Sequence, residues 1–456
     1  MIESKLKQIV ERIASAGGRA LLVGGFVRDR LRAQPSKDYD LEVYGLTLDQ
    51  LHDVLEQSGP VIAVGRAFGV LRVKGIDADF SIPRRDNKQG PGHRGFVVEL
   101  DPSLDFAAAA RRRDLTINAI GLDPLSGEIL DPFQGQADLA RGILRATDEQ
   151  TFAEDPLRAL RVAQFAARFE MQADPALVAL CQTLDLSELA GERIYEEFRK
   201  LLLKGRRPSL GLQFMRDAEL LRFFPELAAL VGTPQDPKHH AEGDVWVHTL
   251  CVLDAAVEER SGDEDDDLAL MFGALCHDIG KPETTELLPD GKVTSYDHEN
   301  VGQQLCESLL GTMRAPKELI ARVQALIGLH GAPLQLVKQG ATPRAYRRLA
   351  RRIADGRITP SLLLRLVRAD QRGRDGDVAG RLRLVDTFWS RLQSLGLQEK
   401  PPIDVVKGSD LIARGLQPGP RFKEILAACR DLQDKTGLDD AEQILARVLG
   451  DSRPDS

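Results

Sequence analysis

The 456-residue chain is poor in aromatic residues, at 5% with two tryptophans, and has five cysteines, none in a Cys-x-x-Cys pair. Cys181, Cys251, Cys276, Cys306 and Cys429 are odd in number and widely spaced. That argues against a disulfide frame or a cysteine zinc site and predicts buried thiols in a reducing compartment. No apolar run is long enough to cross a bilayer, and Met1-Ile2-Glu3-Ser4-Lys5 reads as the start of an amphipathic helix rather than a signal peptide. A cytoplasmic protein with no membrane partner is expected. Net positive charge is lacking too: the formal charge is −8, so a nucleic-acid partner would need a local basic surface.

What is present is the composition of a globular protein, 43% apolar and 29% charged, in a chain too long for one ordinary core. Residue patterning predicts strands at Ala20 to Val23, Asp40 to Tyr44, Val70 to Val73, Asp77 to Ser81 and Phe96 to Glu99, then helices almost throughout from Phe152. Boundaries are expected near Thr147, near Pro225 and after Gly380, dividing the chain into 1–147, 148–225, 226–380 and 381–456. The acidic run Asp263 to Asp267 reads as a solvated loop.

The most informative stretch is Gly24-Gly25-Phe26-Val27-Arg28-Asp29, followed by Lys37-Asp38-Tyr39-Asp40-Leu41-Glu42-Val43. On a strand, Asp38 and Asp40 share a face. Two neighbouring carboxylates repel unless a cation lies between them, and hard oxygen ligands suit Mg²⁺. Paired glycines let backbone N–H groups approach a triphosphate, and Arg28 can neutralise it. In this order the residues resemble the active-site signature of polymerase-β-type nucleotidyltransferases, specifically the class II branch of bacterial tRNA CCA-adding enzymes and poly(A) polymerases. The resemblance implies an α/β nucleotidyltransferase head that is polymerase-β-like, followed by an all-α neck, an HD body and a tail.

Further segments extend the resemblance. Asp79-Phe80-Ser81-Ile82-Pro83-Arg84 occupies the place of the family's acidic strand, making Asp79 a candidate third carboxylate with Asp77 as competitor. Arg112-Arg113-Asp114-Leu115-Thr116-Ile117-Asn118 matches the Arg-Arg-Asp motif. Asp114 and Asn118 have helical i,i+4 spacing, and Arg113 and Asp114 would by resemblance hold triphosphate and ribose. In Glu154-Asp155-Pro156-Leu157-Arg158-Ala159-Leu160-Arg161, Asp155 and Arg158 are three apart at a helix start. A carboxylate accepting from an exocyclic amine beside a guanidinium donating to a ring nitrogen suits cytosine and adenine and rejects uracil and guanine. By resemblance Glu154, Asp155, Arg158 and Arg161 bind the nucleotide, as do Gly24, Gly25, Arg28, Lys37 and Asn118. Glu192-Arg193-Ile194 with Glu197 resembles a brace for that pocket. One departure is Ala107-Ala108-Ala109-Ala110, where the family often has an acidic residue and where Asp105 is displaced. The loop from Arg84 to Asp105, with Gly90, Gly92 and Gly95, has length enough to let one pocket switch from CTP to ATP.

A second set, His248, His277-Asp278, His298, His330 and Asp370, follows the order of an HD-type phosphohydrolase. His248, His277, Asp278 and Asp370 form the expected metal site, whose mixed ligands suit Ni²⁺, Mn²⁺, Co²⁺ or Mg²⁺. By resemblance it hydrolyses 2′,3′-cyclic phosphates and phosphomonoesters. Arg344, Arg347, Arg348, Arg351 and Arg352 recur at helical spacing as a basic face for RNA phosphates. The resulting expectation is addition of CCA to tRNA from CTP and ATP, with Asp38, Asp40 and Asp79 catalytic, by a monomer or homodimer. The rivals are an enzyme adding only adenosines and an HD phosphohydrolase whose front domain only binds RNA.

Overall fold

In a computed structural model the described residues are 3–35, 38–63, 69–88 and 96–450. Lys37 and the glycines at 90, 92 and 95 lie outside them. Leu6, Ile9, Val10 and Ile13 recur at helical spacing, and that stripe buries one face of α1 (Ser4–Ser15). The chain then enters β1 (Arg19–Val23), turns through Gly24 into α2 (Gly25–Leu31), and returns as β2 (Tyr39–Tyr44). After α3 (Leu48–Glu56) come β3 (Val61–Ala63), β4 (Val70–Val73) and β5 (Ala78–Ser81). β6 (Arg84–Lys88) and β7 (Phe96–Leu100) pair as a separate antiparallel hairpin. α4 (Phe106–Arg111) precedes β8 (Gly121–Leu122) and β9 (Ile129–Leu130), which complete a seven-stranded sheet ordered β3-β4-β5-β2-β1-β8-β9.

Period-two alternation sorts the residues of the central strands. Ala20, Leu22, Leu41 and Val43 enter the core shared with α1 and α3, whereas Leu21, Val23 and Tyr44 pack with Phe106, Ala109 and Ala110 of α4. Asp40 and Glu42 therefore face the α4 side of the sheet. Asp105 caps α4, accepting from the Ala108 N–H at 2.7 Å. Its place in the motif is thus structural.

Residues 1–223 and 224–456 form two compact units. In the first, the head is followed by helices including α5 (Leu157–Phe169) and α6 (Gly191–Lys204), which pack on one another. The second is built mainly from α7 (Val245–Val257), α8 (Glu264–Cys276), α9 (His298–Thr312), α10 (Lys317–Leu329), α11 (Pro343–Asp355), α12 (Pro360–Arg372), α13 (Val378–Ser394), α14 (Pro420–Thr436) and α15 (Ala441–Leu449). Among the described residues no helix is long and apolar enough to cross a membrane.

Three expectations need correction. A boundary after Gly380 falls inside α13, whose Phe388 stacks on Tyr346 of α11 at 5.4 Å; the break in regular structure comes later, around Lys400-Pro401-Pro402. The acidic run is the capped start of α8: Asp263 accepts from the Asp266 N–H, and buried Asp267 pairs with Arg365 at 2.9 Å. Carboxylates suit a helix N-terminus, which is why the run is not a loop. All five cysteines are free, and four are buried, but Cys251 is only partly so.

Candidate active site and metal centre

In the first unit, a cleft of about 550 Å³ is lined by Gly24, Gly25, Arg28, Asp40, Arg113, Asp114, Asn118, Asp155, Arg158 and Arg161 among others. The parallel pairing of β2 with β5 sets Asp40 opposite Asp79, and Asp77 immediately precedes that strand. Asp38 lies two residues before Asp40 and is exposed. Loss of hydration in the cleft raises the pKa of Asp40, and the charges of Asp79 and Asp38 add to the shift against the opposing pull of Arg113. Asp79 itself is held by Arg72 at 2.6 Å. Gly24, with φ +67°, faces the site: a Cβ there would stand 3.3 Å from Arg113 Nη1 and 3.7 Å from Asp40 Oδ2.

Behind Asp40, Glu42 is fully buried. Burial would favour its protonated form, but Arg113 and Arg112, with the Tyr44 hydroxyl donating at 2.8 Å, hold its pKa below the usual range. Arg112 donates to it at 2.7 Å and Arg113 lies 3.6 Å away. Arg28 is buried at the cleft wall, with Nη1 donating to Asn118 Oδ1 at 2.7 Å and Nε to Asp29 at 2.9 Å. Its guanidinium sits 4.5 Å from the Phe169 ring centre. These contacts hold Arg28 against Asn118 at the wall of the cleft that it lines.

Asp114 and Asn118 do meet, through a 2.9 Å hydrogen bond, but not on an α-helix. Leu115 is extended and bridges to Ala146, and a 3₁₀ turn over Thr116–Asn118 closes the gap. Burial of Asp114 favours its neutral form, but Arg161, donating at 2.7 Å, together with Asn118 and the Leu115 N–H, keeps its pKa low. At the start of α5, Asp155 accepts from Arg193 at 2.9 Å, while Arg158 donates to the carbonyls of Thr151 and Arg112, each at 2.7 Å. Glu154 is the C-cap of the short helix before this turn and is not among the cleft-lining residues. Gln164, Phe165 and Arg168 of α5, and Arg193, Lys200 and Lys204 of α6, also line the cleft. Helical periodicity counted on from Arg161 and Arg193 could have found them.

In the second unit, His277 at the C-terminal end of α8 is joined by His248 of α7 and Asp370 of α12. His248 Nε2 is 3.2 Å from His277 Nε2 and 3.2 Å from Asp370 Oδ1, and His277 Nε2 is 3.2 Å from Asp278 Oδ2. His298 and His330 complete a second cluster with Asp278. Gly280 permits this approach, since a Cβ there would lie 2.1 Å from the His298 carbonyl oxygen. The Nδ1 atoms of His277, His298 and His330 contact the carbonyls of Ala274, Ser295 and Ile327 at 2.9, 2.8 and 2.7 Å. A carbonyl only accepts, so each Nδ1 carries a proton, which leaves Nε2 as the atom of each ring that can ligate a metal. Burial pushes His330 down to about 4, so that ring is neutral at pH 7. His298 Nε2 is buried without a hydrogen-bond partner. This donor set fits a divalent metal.

Glu242 and His240, unmarked by the motif, belong to the same neighbourhood: Glu242 Oε1 lies 2.8 Å from both His240 Nδ1 and His248 Nδ1. Arg374 pairs with Asp370 at 2.9 Å and Lys281 with Asp278 at 2.7 Å. Against their burial, Asp278 is held well below the usual carboxylate range by His277 and Lys281, and Asp370 by Arg374 and His248.

The basic face of α11 is largely satisfied within the chain. Arg344 pairs with Asp431, Arg347 donates to the Asp434 carbonyl at 2.8 Å, and Arg351 binds Asp434 at 3.1 Å as well as Asp404. Arg348 and Arg352 remain exposed. Three of the five arginines expected to face RNA phosphates thus dock α14.

The head's sheet, its paired carboxylates and the adjoining helical cleft define a nucleotidyltransferase of the poly(A) polymerase head type. The family model described as the poly A polymerase head domain matches residues 20–145, and one described as the probable RNA and SrmB-binding site of polymerase A matches 176–230. The multifunctional CCA protein of Nitrosococcus oceani is 36% identical over 364 residues, covering 78% of this chain and 85% of that protein. That of Aromatoleum aromaticum is 34% identical over 375 residues, covering 78% and 86%. The chain belongs to the family of these multifunctional CCA proteins. Its fold is shared with the Bacillus stearothermophilus CCA-adding enzyme in complex with CTP, at TM-score 0.65 and 21% identity over 98% of both chains. The Thermotoga maritima CCA-adding enzyme complexed with tRNA_CCA matches at TM-score 0.60 and 18% identity, over 99% of this chain and 97% of that one.

Proposed function

We propose that this enzyme adds CCA to tRNA 3′ ends without a template, using CTP and ATP in the cytoplasm. The observation that carries the reading is one cleft in which Asp40, Gly24 and Arg113 meet the Asp155, Arg158 and Arg161 face of α5. Asp38 and Asp40 offer hard oxygen ligands, and Mg²⁺ there would offset the burial and the neighbouring carboxylates that raise the pKa of Asp40. Mg²⁺ bound there would stabilise charge on the α-phosphate and the departing pyrophosphate and lower the pKa of the RNA 3′-hydroxyl. The Gly24-Gly25 turn brings backbone N–H groups toward the triphosphate, and Arg113 supplies the adjacent positive charge. Asp155 accepts from the exocyclic amine of cytosine or adenine. Arg158, oriented by its two backbone carbonyls, keeps its remaining N–H groups for the ring nitrogen. Lys200 and Lys204 add positive charge along the same cleft.

The test is incubation of the purified protein with tRNA transcripts lacking one, two or three 3′-terminal nucleotides, with CTP and ATP supplied separately. Incorporation of two C residues and then one A supports the reading. Addition of A alone would replace it with the adenosine-only alternative.

The inward-facing Nε2 atoms of the second unit favour a further reading as a metal-dependent phosphohydrolase. With Ni²⁺, Mn²⁺, Co²⁺ or Mg²⁺, it would open 2′,3′-cyclic ends to phosphomonoesters and release phosphate from 2′-phosphorylated ends, tested by hydrolysis of adenosine 2′,3′-cyclic phosphate with each metal.

A further inference from the structure

Tyr296 is 73% exposed, beyond the end of the strand Val293–Ser295 that pairs with Thr285–Leu287. A single exposed apolar side chain needs no explanation by itself. This one lines a cleft of about 400 Å³ together with His240, Lys281, Lys292, His298 and Arg374. Ser295, the residue before it, is held at two points. The Ser295 carbonyl accepts from His298 Nδ1 at 2.8 Å, and the Ser295 hydroxyl bonds Thr285 Oγ1 at 2.8 Å. Asp297, between Tyr296 and His298, has φ +67°, a conformation uncommon for a residue with a side chain. That turn carries the chain directly from the aromatic ring to an imidazole of the metal cluster.

We infer that Tyr296 is a stacking platform for the phosphohydrolase site, on which the nucleobase of a 2′,3′-cyclic or 2′-phosphorylated RNA end lies while its phosphate faces His298 and Asp278. The inference rests on the phosphohydrolase reading and adds the recognition of the base. An aromatic face beside several cations is the combination that binds nucleotides of any sequence: the cations take the phosphate, and the ring takes the flat base. A bare phosphate gains nothing from the ring. Tyr296 is therefore a positioning residue for nucleotide substrates only.

The experiment compares the full chain with Tyr296→Ala, Tyr296→Phe and Tyr296→Trp, using adenosine 2′,3′-cyclic phosphate and ring-free glycerol 2-phosphate with each of the four metals. Tyr296→Ala is expected to lose roughly tenfold in kcat/KM on the cyclic nucleotide, mainly through KM, and to stay within twofold of wild type on glycerol 2-phosphate. Tyr296→Phe and Tyr296→Trp are expected to keep near wild-type values. A wild type active on the nucleotide, with Tyr296→Ala unchanged or impaired equally on both substrates, would overturn the stacking role and leave the phosphohydrolase intact. A wild type inactive on both substrates with every metal would overturn the phosphohydrolase reading and the platform with it.

Discussion

Asp155 is bound by Arg193 from the first turn of α6, at 2.9 Å, so the carboxylate assigned to reading the base is aimed by a residue far along the chain. Arg193→Ala should lower kcat/KM for CTP and ATP about five- to tenfold and reduce the preference over UTP and GTP. Loss of one partly exposed, charge-assisted bond corresponds to about 1 kcal/mol. Single-nucleotide incorporation assays with all four triphosphates check this, and unchanged selectivity would contradict the aiming role.

Asp38→Ala and Asp40→Ala should each abolish nucleotide addition while leaving tRNA affinity nearly unchanged, since phosphate contacts come from cations elsewhere. Gel-shift binding measured beside incorporation distinguishes the two effects. Residual turnover in the double variant would refute the assignment.

Gly24→Ala should cut activity more than tenfold and cost about 1 to 3 kcal/mol in stability, because φ +67° with ψ −133° is a conformation essentially confined to glycine. The added methyl would crowd Arg113 and Asp40 where the triphosphate is expected. Denaturant titration together with KM for CTP separates the folding effect from the site effect.

Arg351→Ala should destabilise the second unit by about 3 kcal/mol, because it strands the buried carboxylate of Asp434. Arg348→Ala with Arg352→Ala should leave the melting temperature unchanged and reduce the salt dependence of tRNA binding by roughly one unit of slope per residue. Thermal unfolding and binding at several salt concentrations check both expectations.

His277→Ala with Asp278→Ala should abolish opening of 2′,3′-cyclic ends and phosphate release from 2′-phosphorylated ends, and keep nucleotide addition within a few-fold of wild type. Both activities can be read from the same preparation. Equal loss of both would show that the two chemistries are coupled.

The parts of this protein legible in its sequence are those written in short-range period and motif order. Alternation anticipated the strand that carries Asp40, although Asp38 falls just before it, and the order of four histidines and two aspartates anticipated the buried groups that could hold a metal. What escaped was long-range. The helical pattern of Arg344, Arg347 and Arg351 is the same whether its partner is an RNA phosphate or an aspartate more than 80 residues away. The i,i+4 spacing of Asp114 and Asn118 suggested an α-helix, but an extended Leu115 and a 3₁₀ turn bring the same two side chains together. Glu242 carried no motif, and only the fold brings it to His248.

Arg112 is fastened at both ends: its side chain donates to buried Glu42 of β2, and its carbonyl receives Arg158 of α5. This makes the arginine a ruler between the strand that carries Asp40 and the helix proposed to read the base. The gauge cannot lengthen for a purine and shorten for a pyrimidine without breaking a bond to a fully buried charge. Under the proposed function, fitting two bases of different size falls to side chains on the open flank of the cleft, while the spacing between chemistry and recognition stays constant.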